Sequence, residues 1–330
     1  MKDKVTTANA NKTASFSVDF TVIFPKTWIA RPTSNKGLAL SDRIKYYPRS
    51  MPDMNYSKSF RVKPGTTVNL GRVDPNFSDK HESESSAKAE IAEYQEKPRD
   101  LQYLMYAEDK RALLICLQAM DAGGKDGTIR HVMGAMNPQA CQVHSFKPPS
   151  PEEAFHDFLW RVHKAVGGRR LVTVLNRSHY EDVLVVRVHD LVPKKVWSKR
   201  YDHINAFEKE LTDNGTHILK FFLHISKDEQ LRRFKQRLDD PAKQWKISES
   251  DYREREFWSD YMTAYERALE ECSTIHAPWF VIPSNHKWFR NLAVSQILVE
   301  HFEALKMKFP EPTADLKQIE RKYHRAENSR

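Results

Sequence analysis

The chain has few cysteines and no long apolar run. Its 330 residues include three cysteines, Cys116, Cys141 and Cys272, which are too few and too scattered for a disulfide framework or a zinc site. Cys116 and Cys141 stand in apolar, strand-like surroundings, so we expect buried free thiols and a cytoplasmic protein. Every apolar run is shorter than the ~20 residues that cross a bilayer, which argues against a membrane partner.

Signals for secretion and for nucleic-acid binding are also missing. The best apolar patch near the N-terminus, residues 16–24, is short and contains Asp19, unlike a signal peptide. Because the sequence lacks zinc-finger spacing, an aromatic RNA-binding strand motif and an evident helix-turn-helix, we expect no nucleic-acid partner. Lys and Arg nevertheless outnumber Asp and Glu by 53 to 44, a net charge of +9, which suits some polyanionic partner.

The residue pattern divides the chain into three parts. Residues 1–50 lack periodicity and are predicted to be a flexible N-terminal extension. Residues 51–310 are predicted to form a single domain, and the hydrophobic share of 40% is enough for its core. Residues 311–330 are predicted to be a polar C-terminal tail.

Short strand-like runs, most of them apolar, alternate with helical patterns in the central part. The runs lie near residues 112–118, 140–145, 171–176, 218–225 and 278–283. This alternation predicts an α/β fold, in which a parallel five-stranded sheet is covered by helices on both faces. One helix begins with a capping box at Ser150. It is predicted to present one apolar face made of Phe155, Phe158, Leu159, Val162 and Val166.

The first apolar run leads into a glycine loop, the name used here for residues 121–127. Gly123, Gly124 and Gly127 allow the backbone to curl tightly, with Lys125 among them, and a helix is predicted to begin near Gly127. Backbone amides, a helix N-terminus and a lysine together form a site for phosphate. The loop is therefore predicted to bind an anion.

The glycine loop departs from the usual P-loop pattern, G-x-x-x-x-G-K-[ST]. Ala119 stands at the first glycine, Asp126 replaces the hydroxyl residue that binds magnesium, and Thr128 comes two residues late. An ordinary strand-to-helix turn would also explain this loop when it is taken alone.

A polar cluster follows the third apolar run. Asn176 and Arg177 stand at the end of that run, and Glu181 and Asp182 come soon after. Since the third strand lies beside the first in P-loop enzymes, Asn176 and Arg177 are predicted to reach the bound phosphate. Glu181 or Asp182 could hold magnesium. The alternative is a polar loop that only caps a helix.

A basic helical segment lies at residues 226–246. Leu231, Phe234 and Leu238 are predicted to share one face. The cations on the opposite face or just beyond the helix are Arg233, Arg237, Lys243 and Lys246. Such cations could close over phosphates as a lid, or they could form the solvated face of a surface helix.

Three motifs together resemble one family closely. They are D-A-G-G-K-D-G-T-I-R at 121–130, N-R-S-H-Y-E-D-V-L at 176–184 and R-R-F-x-x-R-L-x-D-P-x-K-x-W-K at 232–246. The family is the second polyphosphate kinase family, the P-loop phosphotransferases that act between inorganic polyphosphate and nucleotides. The similarity runs from about residue 55 to about residue 305, and the chain is most similar to the branch that acts on both AMP and ADP.

The resemblance implies a P-loop kinase-like α/β/α sandwich with a helical lid at about residues 227–257. It implies Mg²⁺ as cofactor, held by Asp121 and Glu181, and a homo-oligomeric protein. Other branches carry Asp where this chain has Asn176, and this departure gives Glu181 the larger part in metal binding. The implied partners are inorganic polyphosphate and adenine nucleotides, with guanine nucleotides left open.

The site residues implied by the loop and by the resemblance fall into two groups. The catalytic group is Asp121, Lys125, Arg177 and Glu181. The phosphate- or nucleotide-binding group is Ala122, Gly123, Gly124, Asp126, Gly127, Thr128, Arg130, Asn176, Arg233, Arg237, Lys243 and Lys246. Lys199 and Arg200, with Arg130, are further candidates to line the path of the polymer.

The predicted activity is the phosphorylation of AMP and ADP by polyphosphate. A phosphate acceptor is already ionised at neutral pH, so catalysis requires alignment and charge neutralisation but no general base. The main alternative is an ATP-dependent nucleotide or small-molecule kinase with the same fold. A nucleic-acid binder that uses the positive charge is the alternative from another class.

Overall fold

A parallel β-sheet forms the centre of the fold. The structure is a computed structural model that describes residues 54–329, and the predicted extension at residues 1–50 lies outside them. In the described part the sheet has five strands in the order β2-β3-β1-β4-β5, all parallel to their neighbours. They are β1 (Ala112–Gln118), β2 (Cys141–Ser145), β3 (Val172–Asn176), β4 (Thr216–His224) and β5 (Trp279–Pro283). The five predicted runs are therefore confirmed as strands.

Helices occupy most of the chain between the strands. The described helices are α1 (Tyr56–Ser59), α2 (Lys88–Glu108), α3 (Lys125–Val132), α4 (Pro151–Phe155), α5 (Trp160–Ala165), α6 (Val185–Val188), α7 (Lys194–Trp197), α8 (Arg200–Asp213), α9 (Lys227–Asp239), α10 (Glu249–Glu256), α11 (Trp258–Cys272), α12 (Lys287–Ala304) and α13 (Leu316–Glu327). Short 3₁₀ turns lie at Leu70–Arg72, Met133–Ala135, Pro138–Ala140, His179–Asp182 and Gln244–Lys246. Every residue of β1 and β5 is buried, which requires cover on both faces of the sheet.

The order of the strands places a ligand crevice between β1 and β3. Leu117 of β1 pairs with Asn176 of β3, so the two strands end at the same edge of the sheet. The connection that leaves β1 runs to β2, whereas the connection that leaves β3 runs to β4 on the other side. Ligands of open α/β sheets bind at such a reversal, outside the carboxyl ends of the strands.

A buried polar network anchors the segment that follows β3. Lys220 of β4 is fully buried, and its ammonium group donates to Glu208 Oε2 at 2.5 Å, to Cys272 O at 2.6 Å and to Tyr180 OH at 2.9 Å. Glu208 Oε1 also accepts hydrogen bonds from Tyr180 OH at 2.9 Å and from His179 at 3.2 Å. Because the buried charges are paired and hydrogen-bonded, the residues just after the site segment at 176–178 are held in place.

The predicted apolar face after Ser150 is wrong as a single helix. The capping box at Ser150 is present, but the helix ends at Phe155, whose side chain is 90% exposed. Asp157 starts a new turn by accepting a hydrogen bond from the backbone N–H of Leu159 at 2.9 Å. The second helix, α5, then carries Val162 into the core. The break is made by local side-chain bonding, which apolar spacing does not reveal.

The apolar side chains of α9 are not the ones that it mainly buries. Phe234 is buried, but Leu231 and Leu238 are 45% and 49% exposed, whereas Arg233 is 5% exposed. The helix packs against polar backbone of the glycine loop, so besides Phe234 it buries side chains that donate hydrogen bonds to that backbone, Gln230 and Arg233. The helix ends at Asp239.

Three smaller expectations have mixed outcomes. All three cysteines, which lie within the described residues, are free; Cys116 is buried as predicted, but Cys141 at the edge strand β2 is only half-buried. The tail at 311–330 contains the exposed helix α13. In residues 54–329, no helix is long and apolar enough to cross a bilayer.

Candidate active site

A cavity of about 540 Å³ lies at the edge where β1 and β3 end. Its walls come from the glycine loop, the end of β3, helix α9 with the turn that follows, and helix α12. The lining residues are Asp121, Ala122, Gly123, Gly124, Lys125, Asp126, Gly127, Arg130, Asn176, Arg177, Arg233, Gln236, Arg237, Lys243, Trp245, Lys246, Asp251, Lys287 and Arg290. The structure thus brings together all but two of the residues that the sequence assigned to the site.

The backbone of the glycine loop turns sharply before α3. Ala122 and Gly124 have φ angles of 59° and 105°, in the left-handed region that glycine adopts most easily. A Cβ atom on Gly124 would lie 1.9 Å from the guanidinium of Arg290, and the φ of this residue is one that residues with a side chain rarely adopt, so the position favours glycine. Helix α3 begins at Lys125, two residues earlier than predicted, and its N-terminus borders the cavity with unpaired backbone N–H groups.

Lys125 lies across the loop. Its ammonium group donates to the carbonyl oxygen of Ala119 at 2.9 Å. Burial lowers the pKa of Lys125, and the nearby Arg177 acts in the same direction, against the carboxylates of Asp121, Glu181 and Asp126. A desolvated cation next to a second cation is poised to interact with an added anion.

Arg177 and Asp121 link the ends of β3 and β1. An N–H of the Arg177 guanidinium donates to Asp121 Oδ1 at 3.0 Å, and both side chains remain partly exposed. The backbone of Arg177 has a φ of 60°, an uncommon conformation for a residue with a side chain. Its amide donates to Leu117 O at 3.2 Å, which fixes the position from which the side chain enters the cavity.

Asn176 contacts the glycine loop. Its side-chain amide donates to Asp126 Oδ1 at 2.8 Å; Asn176 is half-buried, and Asp126 is exposed. The residue therefore joins β3 to the first turn of α3. A carboxylate in its place would face Asp126 with like charge.

The two acidic candidates after β3 lie in different surroundings. Asp182 pairs with Arg200 at 2.9 Å and with Arg161 at 3.9 Å, and burial raises its pKa to about 6. Asp182 and Arg200 therefore have a structural role in these ion pairs. Burial also raises the pKa of Glu181, and the charges of Arg177 and Lys125 oppose that rise. Glu181 thus stands beside the cations of the site, although it does not line the cavity.

The pair Asp121 and Glu181 is compatible with a magnesium site. Within residues 54–329 there is no cluster of three or more His, Cys, Asp or Glu side chains that could hold a metal ion by itself. Mg²⁺ is commonly bound through one or two carboxylates together with substrate phosphates and water. The two carboxylates lie near enough to influence each other's charge, so they fit that pattern.

Helix α9 is fastened to the glycine loop by two side chains. Gln230 donates to Asp121 O at 3.0 Å, and Arg233 donates to Ala122 O at 2.9 Å and to Ser284 O at 2.5 Å. Glu229 accepts a further hydrogen bond from Arg233 Nε at 2.6 Å. Arg233 is thus committed to backbone and carboxylate contacts, unlike a cation on a free lid.

The other predicted cations remain closer to solvent. Arg237 donates to Lys246 O at 2.9 Å, so it joins α9 to the turn that carries Lys243 and Lys246. Thr128 is placed differently from the prediction. It is buried, lies outside the cavity and bonds to Gly124 O at 3.2 Å. Its hydroxyl stabilises the first turn of α3.

Sequence reasoning missed five residues of the cavity: Gln236, Trp245, Asp251, Lys287 and Arg290. Trp245 is 78% exposed, and its indole N–H donates to Ala242 O at 3.0 Å, which fixes the ring. It belongs to the third motif, so that motif could have revealed it. Lys287 and Arg290 stand on α12 in a stretch without any recognisable pattern.

Comparisons with known proteins agree on one family. The sequence model of the family described as Polyphosphate kinase 2 matches residues 81–310. An AMP/ADP-polyphosphate phosphotransferase of Meiothermus ruber is 51% identical over 256 residues, covering 77% of this chain and 96% of that protein. An ADP-polyphosphate phosphotransferase of Rhodopseudomonas palustris is 46% identical over 273 residues, covering 78% and 93%.

A solved structure shows the same architecture. The crystal structure of polyphosphate kinase 2 from Arthrobacter aurescens TC1 superposes with a TM-score of 0.79 at 41% identity, covering 82% of this chain and 97% of that one. The shared fold is that of P-loop kinases, whose phosphoryl transfers generally require a divalent metal ion. The chain belongs to the polyphosphate kinase 2 family.

Proposed function

We propose that the protein is a polyphosphate-dependent nucleotide kinase that transfers phosphoryl groups between inorganic polyphosphate and AMP or ADP. The observation that carries this proposal is the charge of the cavity. Among the described residues, nine Lys or Arg side chains line it against three Asp side chains. Such an excess of cations at the end of a parallel sheet suits a ligand with many negative charges.

The geometry supports transfer by positioning. The amides at the start of α3 and the cations Lys125 and Arg177 surround one end of the cavity. They can align a donor phosphate with an acceptor phosphate and neutralise the charge that develops between them. Because the acceptor is itself ionised, the site needs no side chain that removes a proton. Mg²⁺ held by Asp121 and Glu181 would supply further charge neutralisation at the phosphate oxygens.

The nucleotide is placed near the turn after α9 in this proposal. The exposed ring of Trp245 has a fixed orientation and borders the cavity, which suits stacking on a base. The name of the Meiothermus ruber relative supports AMP and ADP as acceptors. The name of the Rhodopseudomonas palustris relative supports ADP. Guanine nucleotides, a homo-oligomeric state and a cytoplasmic location stay predictions.

The direct test uses purified protein with Mg²⁺, long-chain polyphosphate and AMP, without any ATP. We expect ADP and then ATP to form, as resolved by ion-exchange chromatography. A parallel reaction offers ATP as the only donor and ribose, sugars or nucleosides as acceptors. Transfer in the second reaction together with none in the first would support the ATP-dependent alternative and would end this proposal.

A further inference from the structure

Arg290 of α12 lies directly beneath the glycine loop. It is 2% exposed, and it lines the cavity. One guanidinium nitrogen lies 1.9 Å from the position of a Cβ on Gly124, and another lies 3.1 Å from that of a Cβ on Gly127. The guanidinium is therefore packed against the N-terminus of α3, where the first backbone N–H groups of a helix have no partner within the helix.

Among residues 54–329, no acidic side chain forms an ion pair with the guanidinium of Arg290. Its Nε and one terminal nitrogen donate to Asn291 Oδ1, at 3.1 Å and 2.7 Å, and this oxygen belongs to a neutral amide. Arg233 differs, because it is equally buried but donates to Glu229 and to backbone carbonyls. Two buried arginines thus flank the loop, and only one has its charge matched.

The surroundings of Arg290 disfavour a positive charge. Burial lowers the pKa of Arg290 to about 9, and the charge of Arg233 acts in the same direction. The N-terminus of α3 adds the positive end of a helix dipole. Isolated buried charges are costly unless they are paired, so an anion between Arg290 and the amides of α3 would relieve this repulsion.

We propose that Arg290 binds phosphate at the floor of the cavity, and that the bound phosphate chain supplies the counter-charge that no residue of the described part provides there. This inference rests on the proposed function, and it adds a phosphate-binding residue to that site. Its consequence is a trade-off: without ligand Arg290 destabilises the fold, and with ligand it strengthens binding. A purely structural arginine would stabilise the protein in both states.

The test measures thermal unfolding of the wild type and of Arg290→Met, without ligand and with inorganic tripolyphosphate, in the absence of magnesium. Met fills much of the same space without a charge. We expect the ligand-free variant to unfold at or above the wild-type temperature, and its tripolyphosphate affinity to fall by about tenfold or more. The same titration with ADP tells whether the phosphate that Arg290 contacts belongs to the polymer or to the nucleotide.

Two further variants complete the experiment. Arg233→Met is the matched control; it should lower the ligand-free unfolding temperature, because three carbonyl oxygens lose a donor and Glu229 keeps only Arg232 as a cationic partner. Arg290→Lys keeps a positive charge and should recover part of the tripolyphosphate affinity. It decides the outcome if Arg290→Met is unstable: recovery of binding supports the proposal, and no recovery refutes it.

A lower ligand-free unfolding temperature for Arg290→Met, with tripolyphosphate affinity unchanged, would overturn the inference and make Arg290 structural. Failure of the proposed function gives a different result. If the wild type binds tripolyphosphate through Arg290 but phosphorylates neither AMP nor ADP, the binding inference stands and the assigned reaction does not.

Discussion

Arg177 donates a hydrogen bond to Asp121 at 3.0 Å, and so connects the residue after β3 with the start of the glycine loop. The bond holds a guanidinium at the edge of the cavity before any phosphate is present. Both partners are partly exposed, so neither is needed to fill the core. Their geometry is suited to positioning charge at the point of transfer, and this leads to the first prediction.

Arg177→Lys should lower turnover with polyphosphate and ADP by about 10²–10³-fold, because lysine keeps the charge but loses the planar fork that matches two phosphate oxygens. Steady-state assays of ATP formation check this. The control is Arg170→Lys, since Arg170 also has a left-handed backbone, with φ 74°, and also pairs with an aspartate, Asp109. Equal activity of the two variants would contradict the role of Arg177.

Lys125→Ala should remove nearly all transfer, by about 10²–10³-fold or more, and leave the unfolding temperature almost unchanged. Alanine at the first position of α3 costs little, since it is a good helix former. Circular dichroism on heating and ATP formation provide the two readouts. Lys88→Ala is the matched control, because Lys88 is the exposed first residue of α2. Retained activity in Lys125→Ala would remove the loop from the mechanism.

Trp245→Ala should raise KM for ADP by about tenfold and leave KM for polyphosphate unchanged, because stacking on a base contributes about 1–3 kcal/mol. Trp245→Phe should recover much of the loss. Ribose 5-phosphate, an acceptor without a base, should be phosphorylated equally slowly by the wild type and by Trp245→Ala. The control is Phe155→Ala, which changes another exposed aromatic ring, outside the cavity. A change in the polyphosphate KM instead would place Trp245 with the polymer.

Lys220→Met should lower the free energy of unfolding by about 3–5 kcal/mol, because it leaves the buried carboxylate of Glu208 without its cation. Urea unfolding measures the effect. Lys209→Met is the comparison, since Lys209 pairs with Asp213 on the exposed side of α8 and should contribute no more than about 1 kcal/mol. Similar losses of unfolding free energy in both variants would mean that burial of the Lys220–Glu208 ion pair adds nothing to stability.

His301 should make stability depend on pH. Burial lowers the pKa of His301 from 6.5 to about 4, with His217 acting in the same direction. Because the pKa is lower in the folded state, the stabilisation is complete above pH 6.5 and is lost as the pH falls toward 4, by up to about 3 kcal/mol. Urea unfolding of His301→Gln should show a correspondingly smaller loss of stability as the pH falls from 6.5 toward 4. The same substitution at the exposed His324 should leave the wild-type loss in place.

Local sequence patterns predicted much of the fold. The five strands could be predicted because each is a short strand-like run between polar or glycine-containing segments, and in β1 the continuous apolar sequence indicated burial. The meeting of Asp121, Lys125 and Arg177 could also be predicted, since parallel strands end at one edge of a sheet. The faces of α9 could not, because Leu231 and Leu238 are apolar but point away from a polar loop that binds Arg233.

The sequence by itself therefore determined the strands, the glycine loop and the cations that stand in recognisable motifs, because these depend on neighbouring residues. Only the tertiary structure decided the floor and rim of the cavity. Lys287 and Arg290 line the cavity from α12, which is far from the loop in the chain. Which side of a helix meets the loop depends on packing between distant segments. Spacing within α12 therefore could not show that Arg290 is buried without an ion-pair partner among residues 54–329.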